Sequence, residues 1–366
     1  MPLPIRYEVV RHIEGYDEEV LVRAVDADGL FTGEVLPDRE LLVFRGVLPE
    51  TAARFGELVG FDVYDGPHHL QRWTFEDIHV HAVTPDGEVF ASASLLCQSY
   101  LFDPLPDVVT YWLLEPGTLD RECTSIDGFP RKGHDYRVHW PPVRLIGCEV
   151  AEPTRQVIER PHLWEGYAEY LRALDVHGDE LATVPFGLDI TDVRRSPLGA
   201  GLLDLTFAQT AHFVEGRTFP KAGWRPVWEL WRESVPAEPG LWSRYGTEGR
   251  SAWLALLRHG DDRPQGWGGG GVFHVDGRHV TDTPSLYLAL NEGLLGPGRL
   301  FGRTYWEVEE HLRLLCCGPV PGDTTVVWHH SDVARHAVAE EFDWIVATLR
   351  LHVDLVLEPS TSEGEA

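Results

Sequence analysis

Trp306 and Glu310 stand four residues apart, with Glu307 and Glu309 beside them, in Tyr305-Trp306-Glu307-Val308-Glu309-Glu310. Side chains at that spacing share one face of a helix. An indole and carboxylates presented together suit recognition of a cationic surface. By spacing alone the same stretch also reads as an ordinary solvated helix with Trp306 lying across its neighbours. Arg303 and Arg313 flank this face, while Tyr305, Val308 and Leu312 fall on the inner one.

The histidines offer other chemistry. His79 and His81 alternate along one strand, so both rings can lie on one side of a sheet. With His68, His69, Cys123 or His134 they have the composition of a zinc site. No paired motif such as Cys-x-x-Cys accompanies them, so ordinary strand histidines and no metal are expected. His329 and His330 follow Trp328 at a strand end, yet no nucleophile with a base partner lies nearby in the sequence. The chain has no Gly-x-Ser-x-Gly, no His-Glu-x-x-His and no Walker-type loop. The run Gly268 to Gly271 carries no lysine and precedes a strand, which excludes a phosphate cradle. Asp26-Ala27-Asp28-Gly29 begins like a calcium loop, but the later ligands fail to follow, so it reads as a turn. Cys316 and Cys317 are adjacent and read as packing residues at a helix end. No catalytic residue and no cofactor are expected, and the chain reads as a binding protein rather than an enzyme.

A small α/β module must position the Trp306–Glu310 face. A strand is expected over 272–275, with a turn at Asp276-Gly277. Thr283-Pro284 reads as a helix start, with Leu286, Leu288, Leu290, Leu294 and Leu295 as the apolar content that follows. Gly296-Pro297-Gly298 breaks that helix. A second helix should run over 304–315, burying Tyr305, Val308, Leu312 and Leu315. A β-branched strand over 324–328 comes next. Ser331 then caps a long helix with Val338, Phe342, Ile345 and Leu349 inward, and a last strand covers 354–357. Strands separated by helices imply a small parallel sheet with packed helices.

Upstream, residues 1–150 read as a β-rich domain of unknown function. A hairpin is centred on Pro85-Asp86-Gly87, between strands at 77–83 and 88–96. Further strands are expected at 41–47, 108–114, 136–140, 143–150 and 202–207. Residues 151–262 read as an α+β region, either a second domain or a continuation of the first. Trp164, Tyr167, Tyr170, Leu171 and Leu174 recur there at helical spacing. Short helices are expected near 227–231 and 252–257. Residues 263–271 form a Gly-rich linker, 272–358 the last domain and 359–366 a disordered tail.

Composition bounds the partner. The 366 residues contain 31 Lys plus Arg against 58 Asp plus Glu, a formal net charge of -27. Such a balance excludes a sequence-independent nucleic-acid binder or a polybasic membrane protein and favours a basic partner. Five scattered cysteines show no disulfide spacing, and the N-terminus lacks a signal-peptide core, so a cytoplasmic protein without a membrane span is expected.

Residues 271 to 358 resemble the barstar family of intracellular ribonuclease inhibitors. The carrying residues are Val272-Phe273-His274-Val275-Asp276-Gly277, Leu288-Ala289-Leu290, Gly296-Pro297-Gly298-Arg299-Leu300-Phe301-Gly302, the helix to Leu312, and Val326-Val327-Trp328. The resemblance implies an inhibitor or immunity protein whose loop and following helix plug the active site of a basic ribonuclease or related toxin. It makes Leu300, Phe301, Gly302, Thr304, Trp306, Glu307 and Glu310 the partner-binding residues. Gly302 matches the family's loop glycine, and Glu310 falls on its dominant acid. Trp306 replaces the other helix acid, Leu300-Phe301 an aromatic pair and Thr304 an amide. Ala347 and Leu351 stand where the family's last helix carries two acids, and the loop over 316–323 lacks its Gly-Trp contact. A competing reading gives the first 260 residues an enzymatic or ligand-binding role, with the last module as a regulatory appendage.

Overall fold

In the computed structural model the described residues are 3–12, 18–33, 38–57, 60–65, 68–97, 110–115, 118–129, 139–152, 154–155, 169–187, 189–210, 220–259, 271–316 and 324–360. Strands β1 (Tyr7–His12), β2 (Glu18–Ala24), β3 (Asp26–Asp28) and β4 (Glu40–Arg45) lead to helix α1 (Pro49–Ala53). Then come β5 (Gly60–Asp65), β6 (His68–Val83), β7 (Val89–Cys97), β8 (Thr110–Glu115), β9 (Thr118–Cys123) and β10 (Ser125–Asp127). Next are β11 (His139–Val150), β12 (Glu169–Leu174), β13 (Glu180–Pro185), β14 (Asp189–Arg195) and β15 (Leu203–Thr210). Helices α2 (Arg225–Glu233) and α3 (Thr247–Leu256) and strand β16 (Arg258–His259) precede β17 (Val272–Asp276), α4 (Thr283–Leu295), β18 (Arg299–Leu300) and α5 (Tyr305–Cys316). The chain closes with β19 (Thr325–His329), α6 (Ser331–Ala337), α7 (Ala339–His352) and β20 (Asp354–Leu357).

Two antiparallel sheets make the N-terminal region β-rich, as its alternating apolar residues require. One has the order β13-β12-β1-β2-β11-β15-β14, with β3 on β11; the other has the order β10-β4-β7-β6-β5-β8-β9. The expected boundary at residue 150 falls inside the first sheet, because β1 pairs with both β2 and β12. The second sheet builds its own core from residues between β3 and β11, including Phe44, Phe61, Trp73 and Phe75. The Pro85-Asp86-Gly87 hairpin is present: Val83 pairs with Val89, and Gly87 takes φ 80°. Only glycine adopts that backbone at low cost.

Residues 169–174 correct the helical reading of that stretch. Tyr170, Leu171 and Leu174 lie in strand β12, antiparallel to β1 and β13, with Leu171 and Ala173 buried. A short run satisfies both periods, and the two neighbouring strands decide. Trp164 and Tyr167 lie outside the described residues. Of the strand expected at 136–140 only residues 139–140 are described, and they run on into the strand expected at 143–150 as one strand, β11, whose register shifts across Pro141-Pro142, where proline cannot donate to the ladder.

The C-terminal region holds a three-stranded parallel sheet, β17-β19-β20, with helices packed on it. Val275, Val326 and Trp328 are buried against Leu286, Leu290, Phe342, Ile345 and Leu349. Helix α4 starts one residue earlier than expected: Asp282 is the N-cap, in a reciprocal capping box with Ser285. Ser331 is the first residue of α6 rather than a cap, and its hydroxyl donates to the Glu358 carbonyl at 3.1 Å. The long helix expected after it is two helices, broken at Val338 (φ -145°, ψ 60°). The expected tail is tied down at its start, since Ser360 donates its backbone N–H to Asp332 Oδ1 at 2.6 Å.

Contacts also cross the expected linker. Helix α3 packs on α4, and the tryptophan cluster of α2 and α3 belongs to the same core as the parallel sheet. Strand β16 pairs parallel with β18, and Arg250 bonds to Asp282 through Nε at 3.1 Å. Residues 261–270 lie outside the described set. Among the described residues no helix is long and apolar enough to cross a membrane.

Candidate protein-interaction surface

The loop between α4 and α5 is held from three sides. Gly296 (φ 84°) ends α4, and Gly298 (φ 73°) turns the chain where a Cβ would lie 2.3 Å from Val235 Cγ1. Asn291 of α4 is buried and staples the loop: its Nδ2 donates to the Gly302 carbonyl at 2.7 Å, and its Oδ1 accepts the backbone N–H groups of Phe301 and Gly302. Arg303 reaches back to α3, donating to the carbonyls of Leu254 (3.2 Å), Ala255 (3.4 Å) and Leu257 (3.0 Å). It therefore caps the open carbonyl end of that helix. Burial lowers the Arg303 pKa, with Glu307 opposing the shift.

This anchoring turns the first part of the loop inward. Leu300 is 2% and Phe301 1% exposed, so both side chains serve the core rather than a partner. Gly302 is buried too. A Cβ there would lie 2.7 Å from Val308 Cγ2 and 2.8 Å from the Val308 backbone nitrogen. The absent side chain therefore lets the loop pack on its own helix. Thr304 and Glu307 start α5. Thr304 Oγ1 accepts from the Glu307 N–H at 3.3 Å, and Glu307 Oε2 accepts from the Arg303 N–H at 2.8 Å. The pair works as a variant capping box, with Glu307 committed to the helix start.

Trp306 and Glu310 remain on the open face. Trp306 is 74% exposed, and Glu310 is exposed with no ion pair or hydrogen bond to a described residue. The Tyr305 ring lies 5.2 Å from Trp306 and 6.2 Å from Trp344 of α7. Trp344 is half-exposed, and Leu314 and Leu351 are largely exposed. Two packed helices thus present an aromatic row with Leu351 open to solvent. On the inner side of α7, Tyr287 donates its hydroxyl to Glu341. Burial first, then this bond to a carboxylate, raises the Tyr287 pKa.

Among the seven residues expected to bind a partner, the structure brings Thr304, Trp306, Glu307 and Glu310 to the surface of one helix and places Leu300, Phe301 and Gly302 beneath it. Arg303, expected to flank the outer face, instead turns back onto α3, and sequence reasoning missed Asn291, whose role depends on where the loop folds. Trp344 was missed as well, although the inner stripe Phe342, Ile345 and Leu349 leaves it facing outward and is the signal that points to it.

The histidine pair His79 and His81 has rings 4.8 Å apart, and His81 Nε2 lies 3.0 Å from Ser92 Oγ. Among the described residues no group of three or more His, Cys, Asp or Glu side chains is arranged for a metal; His134 lies outside them. Burial pushes the Cys123 thiol up to about 12, so it is unreactive at neutral pH. In the same sheet Asp62 is wholly buried. It accepts from Arg72 through both oxygens (2.8 and 2.9 Å) and lies 3.3 Å from His69 Nε2.

No protein-family model matches the chain, and no curated protein matches it.

Proposed function

We propose that this chain is a barstar-like inhibitor or immunity protein that occludes the active site of a basic ribonuclease or related toxin. The observation that carries the reading is the outer face of α5. It presents a largely exposed tryptophan one turn from a carboxylate with no described internal partner, on a helix whose start is fixed by Arg303, Thr304 and Glu307. In this reading Glu310 takes the place of a substrate phosphate among the cationic groups of the target. Trp306 fills an adjacent apolar pocket and excludes water from the charge pair. Such a protein needs no catalytic group of its own and works by binding alone. Leu300, Phe301 and Gly302 act from beneath by shaping the loop.

The test is calorimetric titration of the intact chain with a basic ribonuclease or toxin from the same cell, alongside its nuclease activity. One-to-one binding with loss of activity is expected, weakened at high salt because opposite charges are screened. Absence of binding to any such nuclease sinks the proposal.

The competing reading, an enzymatic or ligand-binding N-terminal region with a regulatory appendage, has in its favour the buried Asp62 carboxylate, which holds the partly exposed Arg72 and His69 at the sheet surface. A buried carboxylate paired in this way is also explained by the structure of the sheet alone, since it must be hydrogen-bonded wherever it is buried. A ligand whose binding is lost on His69→Ala, with Trp306→Ala silent, would favour it.

A further inference from the structure

We propose that the outer face of α7 is a self-association surface, which pairs antiparallel with the same face of a second copy of this chain. Helix α7 buries Phe342, Ile345, Val346 and Leu349 in the core. Its opposite side carries Trp344, Ala347 and Leu351, which follow one another at helical spacing. Trp344 is 48% and Leu351 79% exposed, and Ala347 between them is exposed as well. A surface helix ordinarily turns its polar side outward. This outward side is instead an apolar seam of the kind that packs one helix on another.

The charges along the seam decide the occupant. Glu340 stands in the first turn of α7 and Arg350 in the last. Both are exposed, and neither has an ion pair or hydrogen bond to a described residue. Asp343 lies at the acidic end too, in an exposed pair with Arg335 at 2.7 Å. The helix is thus acidic at one end of the seam and basic at the other. A basic partner would meet Arg350 as a like charge, whereas a second copy running the opposite way brings carboxylates to it.

Shape follows the same symmetry. A two-fold axis crossing α7 midway between Trp344 and Ala347 makes the face complementary to itself. Each indole then lies over the alanine of the other copy, large against small. Each Leu351 lies along the stem of the other copy's Glu340, and each Arg350 reaches the acidic end of the facing helix. A parallel pair would set Trp344 on Trp344 and Arg350 on Arg350. The Tyr305 ring, 6.2 Å from Trp344, supports the indole from the α5 side.

The contact is modest in size. The 14 residues of α7 span about 21 Å, and one pair of such helices falls short of the roughly 800 Å² per partner of a standard interface. A weak, reversible dimer is therefore expected. Two copies also repel through formal charges of -27 each. At physiological ionic strength that field is screened beyond about 8 Å, while the seam works at direct contact.

Sedimentation equilibrium of the intact chain over a concentration series tests this. A monomer–dimer equilibrium in the micromolar range is expected. Leu351→Glu should weaken it at least about tenfold. Arg350→Glu should weaken it about threefold, and adding Glu340→Arg to that variant should recover most of the loss. Leu41→Glu, which places the same new charge on an exposed leucine of β4, should leave it unchanged. If a variant does not fold, hydrogen exchange of the parent chain decides: protection gained at high concentration should centre on α7. A chain that stays monomeric up to about 1 mM overturns the proposal. So does a dimer indifferent to Leu351→Glu, one broken equally by Leu41→Glu, or a charge reversal that recovers nothing. Binding of a basic nuclease to a monomeric chain, lost on Leu351→Glu, would assign the seam to that partner and overturn self-association.

Discussion

At the scale of the residue, the structure separates side chains that build the surface from those that form it. Glu310→Gln keeps the size of the side chain and removes its charge. Trp306→Ala removes the anchor. Because both side chains are exposed, each substitution should change folding stability by no more than about 0.5 kcal/mol. Each should cost about 2 kcal/mol or more in binding to the target nuclease if the two are the anchors of the contact. Calorimetry and denaturant unfolding on the same samples check the split. Asn291→Ala should behave in the opposite way. It leaves the N–H groups of Phe301 and Gly302 and the Gly302 carbonyl without their buried partner, at about 2–4 kcal/mol of stability. A loss below about 1 kcal/mol in urea titration would show that the loop is not held there. Trp306 and Glu310 could be read from sequence because helical spacing alone puts them on one face. Asn291 could not, because its partners lie across a loop whose path is a tertiary property.

At the scale of the element, the start of α4 is the most charge-dependent joint. Asp282 caps the helix through Ser285 and binds Arg250 of α3. Burial alone would raise its pKa, but hydrogen bonds from Arg250, Ser285 and Thr247 outweigh it and hold the carboxyl at about 2. An unfolded aspartate titrates near pH 3.9. A depressed folded pKa means this stabilisation is fully present above about pH 4 and is lost as pH falls toward 2. Unfolding midpoints measured across that range should therefore fall for the parent chain and flatten in Asp282→Asn. An equal slope in the variant would assign the acid sensitivity elsewhere. Gly302→Ala tests the loop–helix joint, where the new methyl meets the Val308 backbone; a loss of about 1–3 kcal/mol is expected in the same assay. Helices α4 and α5 and strands β17, β19 and β20 were legible, because punctuation by Gly and Pro and clear apolar periods bound them. Strand β12 was not, since its short apolar run fits either period and its neighbours choose.

At the scale of the molecule, the C-terminal parallel sheet is not separable at the glycine run. Trp231, Trp242 and Trp253 lie in its core, and Arg303 caps α3. A chain cut to residues 272–366 should lose cooperative unfolding, whereas one beginning near residue 220 should keep more of it; thermal melts followed by near-ultraviolet circular dichroism distinguish the two. Cooperative melting of the short piece would show that the tryptophan helices are dispensable. The amino-acid sequence by itself determined the acidic balance, the β-rich N-terminal region, the α/β order of the last module and the Trp306–Glu310 face. These depend on composition and on periods of a few residues. Tertiary structure alone decided that the first sheet joins residues on both sides of position 150, that the tryptophan helices belong with the parallel sheet, and that Leu300, Phe301 and Gly302 turn inward. It also brought His274, His329 and Glu358 into one row. Each of these depends on contacts between residues far apart in the chain, which strand pairing and the sharing of one apolar core establish and local spacing does not encode.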